Sequence, residues 1–345
     1  LRHVRILRCF VFVLLPLVSC SRQQTTGEYP EGPIEVIVPF APGGGSDTFA
    51  RLLKAEVEQQ GLLPHPLVII NAPGAGGTVG SRRVMNEAAD GYTVLLLHDG
   101  ILTAKHSGKV LYGPEAFEPI AGTGRTGSVV VVVEDSPHSS LEDLLRAAAD
   151  HPDTITFAAN LGAPSHFVGL MLEQAHGSAE FRFAQTGGGA ARFAALKGKH
   201  ANETAMSLEE YLRFRSDGVR ALAFLGDQRH PQIPEVASAI EQGVPVRDSV
   251  TQYWWMPKGT PARRRDHFAN VMKQVMSSSR FRKQLAQMKI DPIYLNGQEL
   301  ASHLSEKEAA LMLVDPGTES PLPNVPLALA FLAVILCTGT VATRF

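Results

Sequence analysis

The chain has 345 residues, of which 44% are hydrophobic and 19% are charged, so it is long enough for two cored domains and too apolar for extended disorder. The 32 Lys and Arg residues against 34 Asp and Glu residues leave a formal net charge of −2, which argues against nucleic acid as a partner. The three cysteines, at 9, 20 and 337, leave residues 21–336 without a thiol, so this stretch holds neither a disulfide nor a thiolate metal site.

The first twenty residues, 1–20, are predicted to be an export leader. Three arginines precede the apolar run 9–18, which is the basic-then-apolar order of a secretory signal and is too short to span a membrane. The leader closes on Leu-Val-Ser-Cys at 17–20, which resembles the bacterial lipobox and predicts lipidation of Cys20. The alternative is an ordinary signal-peptidase site with an incidental cysteine.

Short apolar runs alternate with amphipathic stretches from residue 33 to about residue 315. This is the pattern of βα units around a parallel sheet, and it predicts an α/β fold. The first units are predicted as three strands and two helices, with strands at 34–38, 67–70 and 93–97 and helices at 47–60 and 78–88.

A glycine-rich turn at 38–47 links the first strand to the first helix. Its three consecutive glycines let the backbone turn freely, and the N–H groups of the helix start then face beyond the strand end. The turn is not a Walker loop, because no Gly-Lys-Ser/Thr follows, and it does not match Gly-x-Gly-x-x-Gly. Ser46 is predicted to cap the helix, and Asp47 favours the same end of its dipole. The segment is therefore a candidate anion-binding turn.

A second glycine-rich turn, at 71–78, repeats this arrangement after the second strand. In a parallel sheet both turns emerge at the same carboxyl edge, so their N–H groups can converge on one carboxylate. For either turn alone, a tight βα turn without a ligand is the better interpretation. Two in tandem favour a binding site.

A second series of elements predicts a second lobe. Its strands and helices are expected at 129–133, 140–150, 154–158, 165–176, 189–196 and 220–224. Three last helices, which return to the first lobe, are expected at 261–277, 280–288 and 297–313. The predicted division is therefore 29–125 and 226–315 for the first lobe and 126–225 for the second, with a ligand cleft between them. The turns 160–166 and 186–189 are expected to close over a ligand from the second lobe.

The sequence offers no convincing catalytic or metal site. Ser165 is predicted to be an N-cap rather than a nucleophile, because the chain has no Gly-x-Ser-x-Gly elbow. His166 and His176 lie ten residues apart without a His-Glu-x-x-His motif, which argues against zinc. No paired carboxylates stand at a spacing that indicates acid–base chemistry, so we expect no enzyme activity, no metal and no cofactor.

The C-terminal run 325–343 is predicted to be a transmembrane helix. Residues 325–342 carry no charge and approach the roughly 17 to 25 residues that a spanning helix needs. A linker at 316–324, rich in proline, separates this run from the preceding helix. The alternative is a hydrophobic tail packed on the globular part.

Seven short motifs stand out in the globular part. They are Tyr-Pro at 29–30, the turn 38–47, Pro-Gly-Ala-Gly-Gly at 73–77, Asp-Gly-Tyr-Thr at 90–93, Pro-Ser-His at 164–166, the segment 229–234 and Pro-Lys-Gly-Thr-Pro at 257–261. In this order they resemble the motifs of the Bug proteins, which are the TctC-like extracytoplasmic solute receptors of tripartite tricarboxylate transporters. The resemblance covers about residues 29–317.

The resemblance implies a two-lobed periplasmic binding protein fold of type II, with an interlobe cleft that closes on a small organic carboxylate such as a di- or tricarboxylate. It implies delivery of the ligand to TctA- and TctB-like permease subunits, without chemistry. With the lipid on Cys20 and the C-terminal helix, the receptor would be periplasmic and membrane-anchored. By motif position, the expected ligand contacts are Phe40, Ala41, Gly44, Ser46, Asp47, Ala75, Gly76, Ser165, Gly187 and Gly188.

Several positions depart from the family pattern. The usual Tyr-Ala-Ser of the second lobe reads Phe-Ala-Ala at 157–159, so a serine hydroxyl expected at the ligand is missing. A Tyr-Lys-Gly reads Gln-Thr-Gly at 185–187, a Val-Asp reads Ala-Asn at 201–202, and the arginine expected after Asn71 is Ala72. These changes predict that carboxylate capture rests on the first lobe and that ligand choice is altered.

The leading hypothesis is thus a membrane-tethered receptor for a small carboxylate. A second hypothesis keeps the fold and makes the protein a ligand-sensing partner of a membrane histidine kinase. A third is an exported hydrolase that uses Ser165 or Ser46 with His166, although no base and third orienting group can be assigned.

Overall fold

The computed structural model describes residues 29–314, which fold into alternating strands and helices. The strands are β1 (Ile34–Val38), β2 (Leu67–Asn71), β3 (Thr93–His98), β4 (Phe117–Val133), β5 (Thr156–Ala159), β6 (Arg182–Gln185), β7 (Glu203–Ser207), β8 (Val219–Phe224) and β9 (Ser249–Pro257). The helices are α1 (Gly45–Gln60), α2 (Thr78–Met85), α3 (Gly100–His106), α4 (Leu141–Asp150), α5 (Pro164–His176), α6 (Gly189–Lys197), α7 (Leu208–Phe214), α8 (Ala262–Ser277), α9 (Ser279–Gln287) and α10 (Gly297–Met312).

These strands form one connected sheet in the order β2-β1-β3-β9-β4-β7-β5-β6, with β8 also paired to β4. In the first lobe β1, β2 and β3 are parallel, whereas β9 runs antiparallel to both β3 and β4. In the second lobe β5 is parallel to β6 and to β7. The carboxyl ends of the parallel strands therefore carry the βα turns of both lobes, as ligand sites in such sheets require.

Helices cover both faces of the first lobe's sheet. α1 buries Phe49, Leu53 and Val57, which stand four residues apart and form a single stripe toward the sheet. On this face Trp254 of β9 packs against Phe268 of α8, with ring centroids 5.8 Å apart. On the opposite face Trp255 belongs to a buried cluster that includes residues of α10. The two tryptophans are thus core residues on alternate faces of one strand.

The long strand β4 carries the chain from the first lobe to the second. Its residues 117–127 pair with β9, and its residues 128–133 pair with β7 and β8. The chain returns through residues 225–248, beside the first crossing. There the Leu225 N–H donates to Ser128 O at 2.8 Å, and the Asp248 N–H donates to Leu225 O at 2.9 Å. Two adjacent crossings make a hinge from which the lobes face each other.

The prediction that the fold includes a membrane-spanning helix is corrected. Between residues 29 and 314 the longest helices have 16 residues, and none is long and apolar enough to cross a bilayer. The segment 325–343, in which that helix was expected, lies outside the described residues, as do the leader 1–20 with Cys20 and the linker 316–324.

Candidate functional site

The two glycine-rich turns of the first lobe lie against each other at the carboxyl ends of β1 and β2. Asn71 Nδ2 donates to the main-chain oxygen of Phe40 at 3.0 Å and to Asp47 Oδ1 at 2.9 Å. A methyl group placed on Gly77 would lie 3.5 Å from Phe40 Cζ, so the Phe40 ring packs on the second turn. The structure thus brings together the segments that hold Phe40, Ala41, Gly44, Ser46, Asp47, Ala75 and Gly76.

The first turn of α1 presents main-chain donors to the cleft. Gly44 is the N-cap, with no side-chain cap, so the prediction that Ser46 caps the helix is wrong: Ser46 is already the second residue of α1. The Gly43 N–H donates to Asp47 Oδ2 at 2.8 Å, and the Gly44 N–H donates to Ala41 O at 3.3 Å. Within residues 29–314, three N–H groups of this turn have no acceptor, those of Gly45, Ser46 and Asp47. An anion at this helix end would satisfy them.

The Asp47 side chain braces the first turn. Its carboxylate is only 2% exposed and accepts hydrogen bonds from Arg51 Nε at 2.9 Å, from the Gly43 N–H and from Asn71. Burial acts to raise the pKa of Asp47, but these hydrogen bonds outweigh it and hold the pKa below its usual value. The charged carboxylate therefore binds Gly43, Arg51 and Asn71. Within residues 29–314 the main-chain N–H of Asp47 has no acceptor and remains available to a ligand.

The second turn needs glycine for its shape. Gly74, Gly76 and Gly77 have φ of 137°, 68° and 98°, in the region that residues with a Cβ rarely adopt. The Gly77 N–H donates to Gly74 O at 3.0 Å, and Thr78 Oγ1 donates to Ala75 O at 2.9 Å. In the part of the chain that the structure describes, the N–H groups of Gly74, Ala75 and Gly76 have no acceptor. This turn therefore offers a second set of donors beside α1.

Aromatic and amide side chains lie beneath the first turn. Phe40 stacks on His98, with ring centroids 5.0 Å apart and planes inclined by 16°. Burial lowers the pKa of His98, although Asp99 and Glu210 oppose the shift, so the ring is neutral near pH 7. Gln252 Nε2 of β9 donates to Ser46 Oγ at 3.3 Å. Gln252 thus holds the Ser46 hydroxyl, while the Ser46 N–H has no acceptor among residues 29–314.

The turn that contains Ser165 faces the second glycine-rich turn across the cleft. A methyl group placed on Gly76 would lie 3.8 Å from Asn160 Nδ2. The Asn160 N–H donates to Ser165 Oγ at 3.1 Å, and Gln185 Nε2 donates to Asn160 Oδ1 at 3.2 Å. Asn160 and Gln185 therefore bring side-chain amides to the second-lobe wall.

The geometry does not support Ser165 as a nucleophile activated by His166. Ser165 Oγ accepts a hydrogen bond from the Asn160 N–H, whereas His166 Nδ1 accepts one from the Gly162 N–H at 3.2 Å. Burial, together with the charge of Lys109, lowers the pKa of His166 to about 4. No nucleophile–base hydrogen bond joins the two residues among residues 29–314, which argues against the hydrolase hypothesis.

Gly187 and Gly188 lead into α6, which begins beside Glu210 of α7. Arg192 NH1 donates to Gly187 O at 2.8 Å, and Arg192 NH2 pairs with Glu210 Oε2 at 3.0 Å. Gly189, the first residue of α6, has no room for a Cβ because the Glu210 carboxylate lies there. The start of α6 is therefore already next to a carboxylate of its own lobe.

A separate cavity of about 440 Å³ lies at the hinge, and neither glycine-rich turn lines it. Lys307 Nζ of α10 stands 3.5 Å from Asp99 Oδ1 in its wall, and the Thr251 N–H donates to Asp99 Oδ2 at 2.7 Å. Asp248 and His303 also line it. Acids and bases pair with each other in this cavity, so the two turns make the better candidate for an anion site.

Sequence reasoning missed three polar side chains at the cleft, His98, Glu209 and Glu210. His98 is the last residue of a buried parallel strand, at the carboxyl edge of the sheet. Ligand sites lie at this edge, so its position in the sequence indicates a residue near the site. Ser207 and Glu210 form a capping box at the start of α7, and the Ser-x-x-Glu spacing indicates such a helix start.

Comparison with known proteins decides the family. The model of the tripartite tricarboxylate transporter family receptor, TctC, matches residues 49–312 of this chain. The chain belongs to the TctC family. This TctC receptor is 32% identical to the protein BugT of Bordetella pertussis over 240 residues, which are 67% of this chain and 72% of BugT. The predicted Bug/TctC resemblance is therefore confirmed.

Solved structures show the same architecture for this TctC receptor. The periplasmic binding protein BugD is 28% identical, with 83% of this chain and 97% of BugD covered and a TM-score of 0.70. MatC from Rhodopseudomonas palustris, solved with bound malate, is 25% identical, with 82% and 98% covered and a TM-score of 0.72. The two-lobed α/β periplasmic binding protein fold is thus confirmed for residues 29–314.

Proposed function

We propose that this receptor binds a small organic carboxylate in the interlobe cleft and holds one carboxylate group with the two glycine-rich turns. The observation that carries the proposal is the set of main-chain donors without an acceptor between residues 29 and 314, at 45–47 and 74–76. Charge-assisted hydrogen bonds from such donors, together with the dipole of α1, favour a negative group at this place.

The comparisons support a carboxylate as the ligand class. MatC, which shares the fold, binds malate, a dicarboxylate. In this receptor the donors lie on the first lobe, whose turns keep the glycine motifs of the family apart from Ala72, and several residues of the second lobe depart from the family pattern. We therefore propose that the first lobe binds the ligand carboxylate as in other family members, and that residues of the second lobe determine which molecule carrying that carboxylate is bound.

The proposal includes a place in transport. A closed, loaded receptor would release its ligand to TctA- and TctB-like permease subunits, without a chemical step on the ligand. The location outside the cytoplasm is proposed from the family and from the leader at 1–20. Lipidation of Cys20 stays a prediction, because that residue lies outside the described part of the chain.

Titration calorimetry of the full-length chain against mono-, di- and tricarboxylates tests the proposal. We expect heat of binding for at least one acid, and at a hundred times its Kd that acid should add about 2.7 kcal/mol to the free energy of unfolding. The matched control is the amide of the same acid, which has the same shape without the charge and should bind far more weakly. No heat and no thermal shift with any acid would contradict the proposed function.

A further inference from the structure

Glu209 of α7 reaches from the second lobe to the start of α1. A methyl group placed on Gly45, the first residue of α1, would lie 3.6 Å from Glu209 Oε2. Glu209 Oε1 pairs with Arg213 NH2 at 2.6 Å. Among residues 29–314, Glu209 Oε2 accepts no hydrogen bond, although its side chain is only 23% exposed. An unused carboxylate oxygen therefore stands beside the donors of the proposed carboxylate site.

The neighbouring Glu210 differs from Glu209, because its carboxylate is hydrogen-bonded to other residues of the second lobe. Glu210 Oε2 accepts one hydrogen bond from Arg192 NH2 at 3.0 Å and one from the Ser207 N–H at 3.1 Å. Glu209 has only the half-exposed Arg213, which reaches its other oxygen. Burial raises the pKa of Glu209 above its usual value, with Arg213 opposing the rise, as for a charge that is incompletely compensated.

This arrangement places opposite demands on the two ends of a ligand. The start of α1 offers N–H donors and the positive end of a helix dipole, which favour a carboxylate. Glu209 Oε2 lies a few ångströms away and repels a second negative group in this partly buried place, whereas it favours a cation that can donate a hydrogen bond. A plain dicarboxylate satisfies the first demand and not the second.

We propose that Glu209 makes the receptor select a zwitterionic acid, whose carboxylate binds the turns of the first lobe while its ammonium group binds Glu209 Oε2. The inference rests on the proposed function and names the ligand class within it: amino acids and other carboxylates that carry a protonated amine. The acceptor for the ammonium group, Glu209 Oε2, and the N–H donors for the carboxylate are already present in the structure. An ammonium group between the ligand carboxylate and Glu209 separates the two negative charges.

Matched ligand pairs test the inference directly. Each pair differs only by one amino group: aspartate and succinate, glutamate and glutarate, alanine and propionate, and leucine and 4-methylpentanoate. Calorimetry of the full-length chain is run in buffers freed of divalent cations on a chelating resin, so that no divalent cation supplies the positive charge. We expect the amino member of the tightest pair to bind about ten to a hundred times more tightly than its partner, as for a hydrogen bond between charged groups.

The variant Glu209→Gln keeps the size of the side chain and removes its charge. We expect it to lower the amino-to-plain affinity ratio by about tenfold or more and to bind the plain acid at least as tightly as the unaltered chain. The matched control is Glu58→Gln, an exposed residue near the end of α1 that pairs with Lys54, and it should leave the ratio unchanged. Circular dichroism checks that both variants fold.

Two results would overturn the inference while leaving the proposed function intact. One is that the unaltered chain binds succinate or another plain acid as tightly as its amino partner. The other is that Glu209→Gln leaves the affinity ratio where it was. If no acid of either kind binds, the proposed function itself fails, and this inference fails with it.

Discussion

Asn71 Nδ2 donates a hydrogen bond to the main-chain oxygen of Phe40 at 3.0 Å, and this contact ties the end of β2 to the turn that follows β1. The same amide donates to Asp47 Oδ1 at 2.9 Å. One side chain therefore joins the two glycine-rich turns, which lie beside each other at the carboxyl ends of β1 and β2.

The variant Asn71→Ala should loosen both turns. It removes three hydrogen bonds, including the one that Asn71 Oδ1 accepts from Arg51, and leaves the buried Asp47 carboxylate with one donor fewer, so we expect a loss of about 1–3 kcal/mol in the free energy of unfolding. The affinity for the bound acid should fall by about tenfold, because misplaced donors no longer converge. Urea unfolding and calorimetry measure the two effects. The control Asn86→Ala, at the exposed end of α2, should change neither, and equal effects in both variants would count against this role of Asn71.

The hinge should depend on Lys307. Burial opposes the charge of this lysine, but Asp99 and Asp248 outweigh it and raise the pKa of Lys307. Lys307→Met leaves both acids without their counter-ion, so we expect a loss of about 3–5 kcal/mol in the free energy of unfolding. Lys258→Met is the control, because that lysine pairs with Glu118 at an exposed site and should cost less than about 1 kcal/mol. Similar losses in the two variants, measured by thermal unfolding, would show that Lys307 stabilises the fold no more than an exposed lysine does.

The pH dependence of stability should show two acids of the second lobe, the buried Glu203 and the half-buried Glu173. Glu203 of β7 is fully buried, and within the described residues neither of its carboxylate oxygens has a hydrogen-bond partner. Burial, and then the charge of Glu173, raise the pKa of Glu203 well above its ordinary 4.5. Burial likewise raises the pKa of Glu173 to about 7.

Both acids therefore bind protons more tightly in the folded chain than in the unfolded one. The free energy of unfolding should consequently decrease as the pH rises from about 4.5 through the folded-state pKa values, a window that for Glu173 ends at about 7. Glu203→Met should reduce this slope and raise stability at neutral pH by about 1–3 kcal/mol. Urea unfolding from about pH 5 to pH 8 measures the slope and the stability at neutral pH, with Glu58→Gln as the exposed control. An unchanged slope in Glu203→Met would contradict the assignment.

The sequence predicts the first lobe's binding side well, because its signals are local. The apolar run of β1, the stripe of α1 and the glycines of both turns are each contained in a few residues, and the structure places β1 at Ile34–Val38 as predicted. That the two turns converge follows from parallel pairing, which a βα pattern indicates. The particular bond from Asn71 to Phe40 is a tertiary contact that no local pattern shows.

The second lobe's contribution was harder to predict, because long-range pairing overrides its local signals. β4 begins at Phe117, twelve residues before its predicted start at 129, since its proline and glycines discourage a strand that only the pairing with β9 supports. β7 was missed because it begins with the charged Glu203 and holds only two apolar residues, Ala205 and Met206. Without β7, the short helix α7 could not be placed, and neither could Glu209.

The central claim is that N–H groups at the start of α1 hold a ligand carboxylate, and Gly45→Pro tests it most directly. Proline is favoured at the first position of a helix, and Gly44, with φ −75° and ψ 168°, has the backbone that a residue before proline prefers. The variant thus removes one donor without breaking a hydrogen bond recorded in residues 29–314. Ala262→Pro, at the exposed start of α8, is the same change away from the cleft.

The decisive measurement is the Kd of the bound acid for these two variants by calorimetry. We expect Gly45→Pro to weaken binding by about ten- to a hundredfold while its unfolding midpoint stays near that of the unaltered chain, and Ala262→Pro to bind normally. Unchanged affinity in a folded Gly45→Pro variant would show that the N–H groups of α1 do not hold the ligand carboxylate.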